Sequence, residues 1–382
     1  MSIPLDYPTL RVIWWALMGV LLIGFALTDG FDLGVAALLP FVARSDSERR
    51  MVINTVGPTW EGNQVWFILG GGAIFAAWPF VYAVSFSGFY VAMFAVLASL
   101  ILRPVGFKYR SKRPGKTWRS AWDWALFVGG FAPALVFGVA VGNVLQGIPF
   151  HLDGDLRAQY TGTFLGLFTP FTLVCGLLSV AMLVLHGAAW LSMKAEHGPV
   201  RDRATRFGMV AGGASMVLFA AGFAFIAFGK MGYRIVGAVD PSGPSNPPHT
   251  LSALITGGWL TNFGVHPVLW LAPLLGFAGA ALALFGLAAR RDWAAFSGSS
   301  LSAAGIIATV GLSMFPYILP SSTSPNSSLT VWNASSSQLT LFIMLGVTVV
   351  FLPIVLAYTA WAYKVMWGRS TTGALSVNPD LY

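Results

Sequence analysis

The sequence predicts an all-α integral membrane protein with nine transmembrane helices, and three observations support this prediction. Hydrophobic residues make up 56% of the 382 residues, charged residues make up only 9%, and the mean hydropathy is +0.72. Long runs without charge are each long enough for one or two crossings of a bilayer, which take about 20 apolar residues each. Lys and Arg are concentrated in alternate segments between these runs, as expected for cytoplasmic loops.

The composition excludes a water-soluble fold, because soluble domains typically carry about 25% charged residues. A formal charge of +8 and a pI near 9.8 would suggest nucleic-acid binding on a soluble domain. Here the basic residues lie between apolar runs, so membrane topology explains them without a nucleic-acid partner. The single cysteine, Cys175, cannot form an internal disulfide or a multi-cysteine metal site. We therefore expect one polytopic membrane domain without a metal site.

The spans follow from the charge-free runs in order. The first run, 12–28, has no basic segment before it and no small-residue cleavage site after it, so we expect a retained span and not a signal peptide. Residues 62–102 hold two spans, joined by the turn Ala76-Ala77-Trp78-Pro79, because proline suits a helix first turn and tryptophan suits a membrane interface. Residues 293–363 hold the last two spans, on either side of the Ser-rich segment 320–337. The remaining four spans are expected in 124–152, 158–193, 207–229 and 265–289.

The distribution of Lys and Arg orients these nine spans. Eighteen of the 22 fall on one side of the membrane when the spans are placed as above. The positive-inside rule makes that side cytoplasmic. We therefore expect the N-terminus outside, in the periplasm, and the C-terminus in the cytoplasm. The four basic residues on the other side are Arg11, Arg157, Lys230 and Arg234.

Two acids lie inside the first predicted helix. Asp29 and Asp32 are three residues apart, which places them on one helix face. A carboxylate within a span is costly and is by default a functional hypothesis. Two acids this close should not ionise independently, which suits a group that takes up and passes on protons. The alternative is that the pair only bonds to neighbouring helix ends or to a basic residue.

A third acid and a basic residue fall on the same side of the membrane. Glu61 begins the second span and Arg103 ends the third, so the topology places both in the cytoplasmic half with the aspartate pair. We interpret the group as a hydrated proton pathway in which Arg103 is the counter-charge, and Trp60, Asn63 and Gln64 are supporting polar residues. Two alternatives stay open: Glu61 caps a helix N-terminus, where its charge is favourable, and Arg103 only extends to the interface.

Histidines provide no obvious haem or copper site. Only His186 lies well inside a span, whereas a haem with two axial histidines needs a facing pair and a copper needs several ligands. His186 is therefore either a hydrogen-bonded residue between helices or, less in keeping with the pattern, a haem ligand. Its Leu-His-Gly setting is similar to Thr-Asp-Gly in the first span, which indicates two related halves. The other histidines are His151, His197 and His249 in loops and His266 near the start of a span.

Six ordered motifs resemble subunit II of the cytochrome bd-type ubiquinol oxidases, the second and haem-free subunit of these enzymes. The resemblance runs from about residue 10 to the C-terminus and does not separate cyanide-sensitive from cyanide-insensitive members. The motifs are Thr28-Asp-Gly-Phe-Asp-Leu-Gly, Trp60-Glu-Gly-Asn-Gln-Val-Trp, Gly71-Gly-Ala-Ile-Phe-Ala-Ala-Trp-Pro, Ser87-Gly-Phe-Tyr, Arg103-Pro-Val-Gly-Phe, and Pro320-Ser-Ser-Thr with Ser335-Ser-Ser-Gln-Leu-Thr.

The resemblance implies a complex in the bacterial inner membrane that oxidises quinol, reduces dioxygen to water and takes protons from the cytoplasm. It implies that haems b and d reside in the partner, subunit I. It also implies two four-helix bundles, about 9–150 and 158–318, and a ninth helix over 338–364. A structural quinone, membrane lipid and small single-span subunits are further candidate partners. Family members often have Asp where this chain has Glu61, which keeps the acid but lengthens its reach.

Two other functions compete with this one. A proton-coupled secondary transporter also combines many helices, buried acids and a possible repeat. An assembly subunit without a proton path would share the partner and the fold. The transporter would work alone, whereas an oxidase subunit would co-purify with a haem-bearing partner.

Overall fold

The fold is mostly helical, with three small two-stranded sheets. We describe a computed structural model that covers residues 3–247 and 250–373. His249 lies outside these described residues. Within them, eight helical segments are long and apolar enough to cross a membrane: Tyr7–Val42, Tyr90–Lys112, Lys116–Gln146, Pro170–Lys194, Pro199–Phe228, Pro267–Ala288, Asp292–Met314 and Gln338–Val365.

Thirteen α-helices are present in the described part of the chain. They are α1 Tyr7–Val42, α2 Asp46–Asn54, α3 Trp60–Ala77, α4 Pro79–Gly88, α5 Tyr90–Leu100, α6 Leu102–Tyr109, α7 Lys116–Gln146, α8 Pro170–Lys194, α9 Pro199–Phe228, α10 Thr261–Val265, α11 Leu271–Ala288, α12 Asp292–Met314 and α13 Gln338–Val365. The strands pair antiparallel as β1 Phe150–Leu152 with β2 Ala158–Tyr160, β3 Tyr233–Ile235 with β4 Ser252–Leu254, and β5 Tyr317–Leu319 with β6 Leu329–Thr330.

The runs that were expected to hold the fourth and fifth spans extend beyond the helices. Residues 150–152 and 158–160, at the facing ends of these runs, form the β1–β2 hairpin. Helix α7 ends before its run does, at Gly147, whose φ of +86° is rarely adopted by residues with a side chain. Helix α8 starts later because the Thr169 side chain accepts a hydrogen bond from the Thr172 backbone N–H, and Pro170 occupies the first turn.

The predicted break after Ala77 is confirmed, since α3 ends there and α4 begins at Pro79. Helix α3 is 18 residues long but is not among the eight segments above. Its first turn is polar, with Glu61, Asn63 and Gln64 in four residues, which lowers its hydropathy. After the break, the chain continues through three short consecutive helices, α4, α5 and α6.

Helix α1 lies at the centre of the bundle, packed against α3, α7, α8 and α12. Its closest approach is to α8, where the two glycines Gly34 and Gly187 face each other. A Cβ built on Gly34 would lie 2.0 Å from the Leu183 carbonyl oxygen, so only glycine fits at this crossing. The aspartate pair lies in the part of α1 that is buried against these helices.

The hairpins and the Ser-rich segment form one layer at the end of the bundle where α1 begins. The Arg11 guanidinium is fully buried there and donates to the Ser335 hydroxyl and to the carbonyl oxygens of Pro241 and Gly243. Arg11 thus joins the start of α1 to the loop that follows β3 and to the Ser-rich segment.

Candidate functional site: a buried polar cluster

Asp29 and Asp32 are fully buried on α1, one helix turn apart. Arg103, at the start of α6, is also fully buried, and its Nη2 donates to Asp29 Oδ1 at 2.7 Å. The structure therefore brings together three of the four residues that the sequence assigns to a proton pathway. Their formal charges sum to one excess negative charge when all three are ionised.

Asp32 is held by the first turn of α3. The buried Asn63 Nδ2 donates to Asp32 Oδ2 at 2.8 Å. Asn63 Oδ1 in turn accepts from the hydroxyl of Tyr363, near the end of α13, at 2.6 Å. Asn63 was expected as a supporting residue, but Tyr363 was not. A tyrosine at the end of the last apolar run has the sequence pattern of an interface residue, and nothing in the sequence links it to α3.

Four atoms in the cluster are buried without a hydrogen-bond partner among the described residues. They are two acceptors, Asp29 Oδ2 and Asp32 Oδ1, and two donors, Arg103 Nε and Nη1. Buried polar atoms of this kind usually bind ordered water. The cluster thus has the donors and acceptors that a chain of waters requires.

The other expected site residues lie outside this cluster. Glu61 is exposed in the first turn of α3, where its charge suits the helix N-terminus. Gln64 is partly exposed. Trp60 is buried and its ring packs against Phe107, with centroids 5.7 Å apart. The structure does not place Glu61 in contact with the buried acids.

His186 is buried where α8, α12 and α1 meet. Its Nδ1 lies 2.8 Å from the Ser299 hydroxyl, and its Nε2 lies 3.1 Å from the Leu27 carbonyl oxygen. The ring stacks on Phe296 with centroids 5.0 Å apart. Both ring nitrogens are therefore used in contacts between helices. Among the described residues, no group of three or more His, Cys, Asp or Glu could hold a metal ion.

Ion pairs join the helix ends on the side of the basic loops. Asp123 is buried and bonds Arg49 and Arg110, both at 2.5 Å. Asp292 similarly bonds Arg201 at 2.5 Å and Arg369 at 2.8 Å. Asp123, near the start of α7, and Asp292, at the start of α12, thus each form ion pairs with two arginines.

Glu48 ties α2 to α9 on the same side. Its Oε2 lies 2.7 Å from Arg203 Nη2 and accepts from the Arg44 backbone N–H at 2.6 Å. Partial burial would raise the pKa of the Glu48 carboxyl, but hydrogen bonds from Arg203 and from the backbone N–H groups of Arg44 and Ser45 outweigh it and lower that pKa.

Comparisons with known proteins cover almost the whole chain. The sequence profile described as cytochrome bd terminal oxidase subunit II matches residues 10–366. A probable cytochrome oxidase subunit 2 of Haemophilus influenzae is 50% identical, over 98% of this chain and 98% of that protein. Cytochrome bd-I ubiquinol oxidase subunit 2 of Escherichia coli is 51% identical, over 96% and 97%. Cytochrome bd ubiquinol oxidase subunit 2 of Bacillus subtilis is 31% identical, over 94% and 97%.

A solved structure has the same fold. A chain of the bd oxidase from Geobacillus thermodenitrificans aligns with a TM-score of 0.68 and covers 94% of this chain and 98% of its own length. The sequence identity is 15%, so the likeness concerns the arrangement of helices and not the residues of the buried cluster.

Proposed function

This chain belongs to the cytochrome bd terminal oxidase subunit II family, and we propose that its buried polar cluster conducts protons to the oxygen-reduction site of the complex. As a family member it is a multi-pass subunit of a quinol oxidase of aerobic respiration in the bacterial inner membrane. The enzyme reduces dioxygen, and the partner of this chain is subunit I. Because the chain belongs to this family, a proton-coupled secondary transporter is no longer a competing function.

The observation that carries the proposal is the burial of two carboxyl groups with unmatched polar atoms beside them. If every polar atom of these side chains had a hydrogen-bond partner in the protein, the cluster would need no role beyond packing. Asp29, Asp32 and Arg103 instead leave two acceptor atoms and two donor atoms that can bind water. Carboxyl groups that exchange protons with ordered water are suited to conduction through a membrane protein. Glu61, exposed at the start of α3, would be the outer mouth of the path.

We propose the orientation from the distribution of Lys and Arg along the chain. We place the cluster in the cytoplasmic half, with the N-terminus periplasmic and the C-terminus cytoplasmic. Helix α3 would raise the number of crossings from eight to nine, since its 18 residues span about 27 Å at 1.5 Å per residue. The chain would then consist of two four-helix bundles, over 9–150 and 158–318, followed by the ninth helix over 338–364.

The haems b and d are assigned to the partner subunit. We propose that a structural quinone or lipid tail packs against the apolar groove between α5 and α7, which is lined by Phe89, Val136, Phe164 and Phe168. Exposed Lys108, Lys112, Arg113 and Lys116 would bind anionic lipid headgroups at the cytoplasmic surface. Quinol and small single-span subunits are the remaining proposed partners.

The test is Asp32→Asn in the intact, haem-loaded complex. We expect quinol-dependent oxygen consumption to fall by about tenfold or more, since the amide cannot take up and release a proton at neutral pH. Glu61→Gln should cause a smaller loss, because bulk water can bypass an exposed acid. Asp155→Asn, in the exposed turn between β1 and β2, is the matched control and should have no effect.

The haem spectrum of each variant complex must match that of the parent complex, so that a loss of turnover is not a loss of assembly. Full oxygen consumption by the Asp32→Asn complex would refute the proposal. It would favour the remaining alternative, a subunit that supports assembly but carries no proton path.

A further inference from the structure

The hydroxyl of Tyr363 is the one group through which α13 reaches the buried polar cluster among the contacts described. We infer that Tyr363 is a positioning residue for proton uptake: its hydroxyl orients the Asn63 amide so that the amide nitrogen faces Asp32. This inference rests on the proposed function of the cluster and assigns a role in it to the last helix.

The two hydrogen bonds form a directed chain. The Tyr363 hydroxyl donates to Asn63 Oδ1 at 2.6 Å, and Asn63 Nδ2 donates to Asp32 Oδ2 at 2.8 Å. An amide carries its donor and its acceptor on opposite sides, so a donor on one side fixes which atom faces the other. If the Asn63 amide rotated by half a turn, its oxygen would face the Asp32 carboxylate, and that contact is repulsive for an ionised acid. The Tyr363 hydroxyl opposes this rotation.

The position of α13 makes this contact unusual. Most of the helix is exposed, and among its described residues only Leu341 is buried. At the opposite end of α13, Trp14 Nε1 of α1 donates to the Leu341 carbonyl oxygen at 2.9 Å. A helix held mainly at its two ends would need no hydrogen bond to a buried amide for packing alone. The Tyr363 ring, half-buried 6.3 Å from the Trp190 ring, lies between the cluster and the exposed end of α13.

The functional consequence concerns Asp32 more than Asp29. Asp29 is bonded directly by the Arg103 guanidinium. Asp32 depends on a neutral amide, and that amide depends on Tyr363. Removing the hydroxyl therefore loosens the one protein donor that Asp32 has among the described residues, while the aspartate itself is unchanged. Proton uptake should then become slower without any loss of the acid.

The experiment compares Tyr363→Phe with Tyr358→Phe in the complete two-subunit complex. Tyr358 lies on the same helix and is 67% exposed, so its variant removes a hydroxyl without touching the cluster. We measure oxygen consumption in H2O and in D2O. Loss of a hydrogen bond predicts a roughly three- to tenfold lower turnover for Tyr363→Phe, and a larger solvent isotope effect because proton uptake becomes limiting. Tyr358→Phe should match the parent complex in both measurements.

A double variant separates positioning from a merely structural role. If Tyr363 acts through Asn63, then Tyr363→Phe combined with Asn63→Ala should be no slower than Asn63→Ala alone. Fully additive losses would overturn the inference, and so would unchanged turnover and isotope effect in Tyr363→Phe. If the Tyr363→Phe complex lost its haems, Asn63→Ala would replace it as the test. Full turnover with an unchanged isotope effect in Asn63→Ala would then overturn the inference.

The failure of this inference is distinct from the failure of the proposed function. If Asp32→Asn loses turnover but Tyr363→Phe does not, the proton path stands and Tyr363 has no part in it. If Asp32→Asn keeps full turnover, the proton path itself is refuted.

Discussion

At the scale of single residues, the ion pair between Arg103 and Asp29 decides whether the buried cluster is stable. Both side chains are fully buried, and Nη2 and Oδ1 are 2.7 Å apart. Removing one partner of such a pair leaves an unpaired buried charge, at a cost of about 3–5 kcal/mol. We expect Arg103→Gln to lower the free energy of unfolding of the complex by about 3–5 kcal/mol. A lower melting temperature of the haem-loaded complex at neutral pH would show this loss.

The double variant Asp29→Asn with Arg103→Gln is the control for this pair, because it removes both charges and leaves two amides of similar size. It should recover part of the lost stability. Equal stability of Arg103→Gln and the parent complex would contradict the role of the pair.

The Glu48 carboxyl should make the stability of the subunit depend on pH. Its pKa is lowered in the folded chain, mainly by hydrogen bonds that outweigh partial burial. A lowered folded-state pKa contributes stability that is present above the unfolded-state pKa, near 4.3 for glutamate, and is lost as pH falls through the folded value. We therefore expect Glu48→Gln to destabilise the subunit at neutral pH, and the difference from the parent to shrink as the medium is acidified. Thermal melts over an acidic pH series measure both curves.

At the scale of elements, the crossing of α1 and α8 fixes where the aspartate pair lies. A Cβ on Gly34 would lie 2.0 Å from the Leu183 carbonyl oxygen, so even alanine would force the helices apart. We expect Gly34→Ala to reduce assembly of the haem-loaded complex and to lower its melting temperature by several degrees.

Gly19→Ala is the matched control on the same helix. A Cβ there meets no atom within 4 Å, and alanine in a helix is favoured over glycine by about 0.5–1 kcal/mol. This variant should assemble normally and melt at the parent temperature or slightly above it. Similar behaviour of the two glycine variants would show that the crossing is not tight.

At the scale of the whole molecule, the orientation can be tested by cysteine labelling. In a Cys175→Ser background, Arg157→Cys lies in an exposed turn, and Lys112→Cys lies in the basic segment before α7. We expect a membrane-impermeant maleimide to label Arg157→Cys in intact spheroplasts and Lys112→Cys only after permeabilisation. The reverse pattern would place the N-terminus in the cytoplasm.

The sequence by itself determined the membrane class, most of the spans, the break at Pro79 and the family. Hydropathy and charge act locally along the chain, so these properties can be counted, and six ordered motifs are specific. The sequence could also place Asp29, Asp32 and Arg103 at one depth, because depth follows from the position of a residue within its span.

Only the tertiary structure decided which of these residues meet. Whether Arg103 faces Asp29, and whether Glu61 points inward or outward, depends on how α1, α3 and α6 rotate against one another. The tight approach of Gly34 and Gly187 sets part of that rotation. Tyr363 could not be predicted for the same reason, since it is 300 residues from Asn63 in the chain and reaches it only through packing of α13. The β1–β2 hairpin could not be predicted either. Strands of three residues are too short to show a strong alternation of apolar and polar residues, and they form where the surrounding loops provide partners.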